Sequence, residues 1–148
     1  MIIYNLIKAI RFLWVLPFLL FLTNCRQPVI PTEEDLAGYG WTLYETGKYQ
    51  EAREWFYDAV AKDSSYADGY NGIGWCFGKL RQADSAAVYF HISQTKPFDS
   101  YDTPDLDLDL YAGLTFAYSG MHIDSLVRVY STYVLVERPE LGPWLSLI

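Results

Sequence analysis

An all-α fold of about three stacked helix-turn-helix units is what this sequence predicts, and three observations carry the prediction. The first is a period. When residues 33–66 are laid over 67–100, the same residue kinds recur 34 positions apart: Gly40 falls on Gly74, Trp41 on Trp75, Ala52 on Ala86 and Phe56 on Phe90. Leu43 likewise meets Phe77, and Leu36 meets Tyr70. The second is helical spacing of apolar residues. Leu36, Tyr39 and Leu43 share one face, while Trp55, Phe56, Ala59 and Val60 pattern a second helix, with Gly47, Lys48 and Tyr49 as the turn between them. The third is the placing of small residues. Gly40 and Gly74 lie mid-helix, where each costs about 1 kcal/mol against Ala. That cost makes sense where a neighbouring helix must come close, and Ala52 and Ala86 are small on the facing helix for the same reason.

Composition bounds what such a fold does. The chain has 148 residues, of which 51% are apolar, 18% aromatic and 20% charged, with 13 Tyr and 5 Trp. Large rings are therefore in ample supply for packing or stacking. The formal net charge is −7, and Lys8 and Arg11 are the only charges in the first 24 residues. The remainder carries nine basic against 18 acidic residues. So acidic a body is unsuited to nucleic acid, whose binding depends on neutralising phosphates. It is equally unsuited to flat adhesion on anionic head groups. Two cysteines, Cys25 and Cys76, and two histidines, His91 and His122, supply no zinc spacing.

In chain order, residues 1–24 come first. A basic stretch with Lys8 and Arg11 precedes an uncharged run from Phe12 to Leu22, the arrangement of an export signal. Only 14 uncharged residues separate Arg11 from Arg26, and Pro17 interrupts them, which is short for a membrane-spanning helix. The run ends Leu22-Thr23-Asn24-Cys25 and resembles the bacterial lipobox, with Asn24 where Gly, Ala or Ser is usual. The resemblance implies that Cys25 is acylated and becomes the mature N-terminus, anchored in a bilayer and facing the periplasm. Acyl chains contribute roughly 0.8 kcal/mol per buried CH₂. Arg26 stands where an inner-membrane retention Asp is found in enteric-type bacteria, so the same resemblance points to the outer membrane. The alternative is an uncleaved anchor with Cys25 as a bystander. Residues 25–32, with Pro28 and Pro31 and no periodicity, read as a tether.

The body then resembles the tetratricopeptide repeat. Its small signature places hold Gly40, Ala52 and Ala59 in 33–66, and Gly74, Ala86 and Ser93 in 67–100. The large places hold Leu36, Tyr39, Leu43, Tyr49 and Phe56, then Tyr70, Ile73, Phe77, Ala83 and Phe90. The usual turn glycine is Gly47 in the first unit but Arg81 in the second, a departure expected to weaken that turn. A degenerate third unit is placed at 106–139 on Gly113, Phe116 and Gly120, with Ser125 and Thr132 where Ala is usual. Terminal units are commonly atypical. The tail, 140–148, is apolar enough to pack over the last hairpin.

What the resemblance implies about function is a groove lined by the first helix of each unit. Carried over residue by residue, the first unit supplies Glu34, Ala37, Trp41, Tyr44 and Glu45. The second supplies Asp68, Asn71, Trp75, Gly78 and Lys79, and the third Asp107, Leu110, Leu114, Ala117 and Tyr118. Trp41 and Trp75 would then stand side by side as binding hot spots; the competing reading is that both rings seal the hairpin interfaces. The groove's acids disfavour an acidic peptide and suit a protein or peptide partner with a basic or aromatic-accepting segment. The alternative function is a ligand-binding lipoprotein whose aromatics stack on glycan or peptidoglycan fragments.

Catalysis and cofactors are not expected. Asp105-Leu106-Asp107-Leu108-Asp109 resembles the start of a calcium loop, but Leu110 replaces the required glycine and Phe116 the closing acid. An acidic first helical turn explains it more simply. Cys76, beside Trp75 inside a helix, reads as a packed small hydrophobe. His91 falls at a surface-like position and His122 at a turn-like one, with no nucleophile arranged around either.

Overall fold

A computed structural model describes residues 30–98 and 105–139. Among them are six α-helices and no strand: α1 (Glu33–Glu45), α2 (Tyr49–Lys62), α3 (Ala67–Lys79), α4 (Ala83–Gln94), α5 (Leu106–Gly120) and α6 (Asp124–Glu137). Residues 1–24, Cys25 and the tail 140–148 lie outside the described residues. None of the described helices is long and apolar enough to cross a membrane. The described residues from Pro31 onward belong to one compact unit.

Helix α1 starts with a reciprocal cap. The Asp35 N–H donates to Thr32 Oγ1 at 3.2 Å, and the Thr32 N–H donates to Asp35 Oδ2 at 2.9 Å. Such a cap contributes about 1 kcal/mol, and Glu33, Glu34 and Asp35 complement the positive end of the helix dipole. No other described helix has a side-chain cap, and α2, α4 and α6 begin directly out of tight turns.

Those three turns share one construction. At the first, the Gly47 N–H donates to the Tyr44 carbonyl and the Lys48 N–H to the Leu43 carbonyl, both at 3.0 Å. Arg81 and Gln82 repeat the pair onto Gly78 and Phe77, and His122 and Ile123 onto Ser119 and Tyr118. This is the Schellman closure, which needs a left-handed residue at its corner. The corners are Gly47 (φ 81°), Arg81 (φ 61°) and His122 (φ 58°). The second turn is therefore fully formed despite Arg81, and the departure from glycine shows as backbone strain of about 1–2 kcal/mol.

The corners also set the register of the third hairpin. They stand 34 and then 41 residues apart, so the segment joining α4 to α5 inserts seven residues. The sequence reading puts Gly120 near the corner; His122 occupies it, and the third unit runs two residues later than its glycines suggest. Gly113 accordingly matches Gly72, not Gly40 and Gly74. Ser125 and Thr132, assigned to packed small positions, are exposed, and their places are taken by Val127 and the fully buried Val134.

Packing between hairpins rests on two phenyl rings. Phe56 and Phe90 are 0% and 1% exposed. A Cβ on Gly40 would stand 3.0 Å from the Phe56 ring, and one on Gly72 would press it from the next hairpin more closely still. Phe90 repeats this with Gly74, where a Cβ would stand 2.7 Å away, and with Gly113 of α5. Ala52, Ala59 and Ala86 are all 0% exposed around them. Ser93 takes the next alanine place, and its hydroxyl donates to the Ala67 carbonyl at 2.7 Å. Tyr39, expected to pack inward, is instead half exposed and lies edge-on to Trp55 at 4.5 Å.

The outer seam recurs as well. The Tyr57 and Tyr89 hydroxyls lie 2.9 Å apart and Phe77 stacks on Tyr89 at 5.3 Å; one hairpin later, His91 Nε2 and the Tyr118 hydroxyl share a hydrogen bond of 2.8 Å and Tyr118 stacks on Tyr130 at 5.5 Å. His91 is thus a seam residue, its Nδ1 lying 3.0 Å from Gln94 Oε1.

Two substitutions in neighbouring helices are expected to act in opposite directions. A methyl on Gly38 would meet nothing within 4 Å, so Gly38→Ala gains about 1 kcal/mol of helix propensity, raising Tm by about 4–8 °C. Gly72→Ala makes the same gain but drives a methyl into the buried Phe56 ring, for a net loss of roughly 1–3 kcal/mol. Thermal melts followed by circular dichroism measure both. A third melt, of Arg81→Gly, is expected to show a gain of up to about 1 kcal/mol, strain relief offset by chain entropy.

Candidate functional site

Successive first helices lie against one another, α1 on α3 and α3 on α5, and their free sides form one face. Counting back from the three turn corners identifies which residues stand in line on it. Six residues before each corner come Trp41, Trp75 and Phe116; ten before, Ala37, Asn71 and Ala112; thirteen before, Glu34, Asp68 and Asp109. The face therefore carries an aromatic row through its middle and an acidic row at the helix N-termini.

The aromatic row is partly structural. Trp41 is half-buried, edge-on to Phe56 at 4.9 Å and Tyr44 at 5.5 Å, and its indole N–H donates to Asp68 Oδ2 at 2.8 Å. That bond ties α1 to α3. Trp75 is half-buried and edge-on to Phe90 at 5.6 Å. No ring contact joins Trp41 to Trp75; the neighbour of Trp75 is Phe116, at 6.4 Å. Among the described residues the Trp75 N–H has no acceptor. Phe116 is 41% exposed, and its ring opens onto a groove of about 330 Å³ lined also by Gly78, Arg81, Ala83, Ser119 and Gly120.

In the acidic row, Asp68 accepts from two side chains. Asn71 is fully buried and its Nδ2 donates to Asp68 Oδ1 at 3.2 Å. The Asn71 carbonyl oxygen has no donor among the described residues. Asp109 is exposed, though its carboxyl is partly desolvated. Desolvation there raises its carboxyl above the usual range, Asp68 and Asp105 add like charge, and the Asn71 side chain opposes them. Tyr44 stands close by; desolvation, then Cys76, Tyr49 and Asp109, push its hydroxyl well above the ordinary phenol range.

The groove residues assigned from sequence divide accordingly. Trp41, Tyr44, Glu45, Trp75 and Lys79 lie on the first helices with surface to offer, while Asn71 is buried and donates to Asp68. Leu114 is a correction: it is 0% exposed and packs in the core with Leu110 and Ala117. Tyr118 is a second, since its contacts are with His91 and Tyr130 on the second helices. Both follow from the two-residue register shift, which puts Asp109, Ala112 and Phe116 on the face instead. The missed signal was His122. Among residues other than glycine, Asn, Asp and His enter the left-handed region most readily, and aligning His122 with Gly47 and Arg81 recovers the register.

Other candidates resolve simply. Asp105 faces Arg138 at 3.5 Å. Cys76 is 0% exposed and burial pushes its thiol up to about 12, the state of a packed, protonated side chain. No protein-family model, curated protein or solved structure matches the chain.

The Asp109 shift has a definite sign. A carboxyl raised on folding is stabilising while protonated, and that stability is lost as pH rises through its folded value. Asp109→Asn is therefore expected to melt higher than the parent at pH 7, with the gap closing on acidification into the carboxylate range. Melts taken from pH 7 to pH 4 check it; a gap independent of pH would contradict the assignment.

Proposed function

We propose that this chain is a non-catalytic interaction scaffold of tetratricopeptide type, held at a bacterial membrane through an acylated Cys25 and facing the periplasm from the outer membrane. Its partner segment lies across the first helices of the three hairpins. The observation that carries this reading is the face itself. Three hairpins repeat one turn, two of them share one phenyl-in-glycine contact, and the side that the described residues leave uncovered presents an exposed Phe116 beside a Trp75 whose N–H has no acceptor among them. Aromatic area with a spare donor is what protein hot spots are made of. The lipobox-like Leu22-Thr23-Asn24-Cys25 and the tether behind it support the anchor.

Placing a photo-crosslinking residue at Phe116 in cells tests the face. Adducts are expected from this position and lost in Trp75→Ala, whereas the same residue at Val88, 55% exposed on α4, captures none of them. Equal adducts from both positions would remove the face from the argument. If peptidoglycan fragments alone quench Trp75 fluorescence saturably, the ligand is a glycan and not a protein. The anchor is tested separately: Cys25→Ser is expected to abolish both acyl labelling and membrane fractionation.

A further inference from the structure

We propose that the segment bound on this face inserts an aromatic side chain into the recess beside Phe116, between the second and third hairpins and within reach of the Arg81 guanidinium. This rests on the scaffold reading and adds the chemistry of the partner.

The molecule holds a filled copy of this recess. Its lining residues are Gly78, Arg81 and Ala83 from the second hairpin and Phe116, Ser119 and Gly120 from the third. Counted from the turn corners, the same places one hairpin earlier hold Tyr44, Gly47 and Tyr49, then Trp75, Gly78 and Lys79. Tyr44 and Tyr49 are both half-buried there, and their rings meet edge-on at 5.2 Å. Gly78 and Ala83 stand where those two phenol rings are attached. A Cβ on Gly78 would lie 3.4 Å from the Phe116 ring, so a side chain at this position would start out against it. The recess of about 330 Å³ therefore lies where two tyrosine side chains are missing, and Phe116, 41% exposed, is the wall left without cover. That volume falls at the small end of ligand sites, room for one large ring.

Charge complementarity points the same way. The charged residue that lines the recess is Arg81, and no acid of the described residues answers it: the ion pairs there are Lys48–Glu51, Arg53–Glu54 and Arg138–Asp105. A guanidinium is complementary to the negative face of an aromatic ring. The same contact occurs elsewhere in the chain, where the Arg53 guanidinium lies 5.0 Å from the centre of the Phe77 ring. Arg81 also occupies a left-handed corner at a cost in strain, whereas Gly47 turns the first corner freely. What that strain brings to the recess is a cation, which glycine could not supply.

The test is selection of a random heptapeptide display library on the full chain in detergent micelles, followed by titration of the selected peptides. Enrichment of Phe, Tyr or Trp is expected, and changing that residue to Ala in a selected peptide should weaken it by about tenfold or more. Gly78→Tyr/Ala83→Tyr, which restores the side chains of the first interval, should weaken the same peptides by at least about tenfold while melting no lower than the parent. If the double variant melts lower, Ala83→Tyr alone is titrated in its place, with the same loss expected. Arg81→Gly should weaken the peptides by roughly two- to fivefold, again without a lower melt. Peptides that keep their affinity for the filled variant but lose it to Trp75→Ala would overturn the proposal and leave the scaffold reading intact. Enrichment of Asp or Glu in place of rings, with affinity lost in Arg81→Gly, would make the recess a carboxylate seat and overturn it as well. Indifference to every variant, or no selection at all, would overturn both.

Discussion

Everything in this fold hangs on a phenyl ring that has glycine on both sides. Phe56 fits against Gly40 of its own hairpin and Gly72 of the next; Phe90 does the same with Gly74 and Gly113. A ring clamped this way does two jobs at once. It closes the pair of helices that carries it, and it sets how near the following pair approaches. The residues that gain are all first-helix residues. Because α1, α3 and α5 are drawn together by the same contact, their side chains line up at equal heights, and a row of aromatics and a row of acids result without any of those residues having to organise the others.

The acids occupy the one place on each helix where negative charge is favoured. Glu34, Asp68 and Asp109 all fall in or beside a first turn, where unpaired backbone N–H groups give a positive end. Helix physics alone accounts for acids there. It does not account for Asn71, a buried polar residue that donates to Asp68 and whose oxygen has no donor among the described residues. Nor does it account for Asp109, whose carboxyl is raised even at a helix start, so that desolvation and its acidic neighbours outweigh the dipole.

How much of this was legible in the sequence can be argued from single residues. The period between Gly40 and Gly74, Trp41 and Trp75, and Phe56 and Phe90 was readable because two hairpins make the same contact with the same residue types. The third hairpin hides it because the contact changes hands. Ser131 stands where the phenyl belongs, and Thr115 fills the place of the matching glycine, its hydroxyl turned back onto the Tyr111 carbonyl at 2.8 Å. With the large residue gone, glycines alone give a register two residues out. Leu114 and Tyr118 were thereby misassigned and Asp109 and Phe116 overlooked. Trp41 shows a different limit: its position was readable, but the acceptor for its N–H sits 27 residues away on another helix. Backbone conformation, through His122, restores what composition concealed.

The exchange of Phe for Ser131 also bears on how such an array grows. A hairpin built like the second brings a knob for its successor and a notch for its predecessor, so copies of residues 67–100 can in principle follow one another. A copy of the third brings no knob, and Val134 closes its interior from within. Duplication of that last hairpin would leave its successor nothing to clasp, which makes the middle hairpin the natural template for lengthening the array by design.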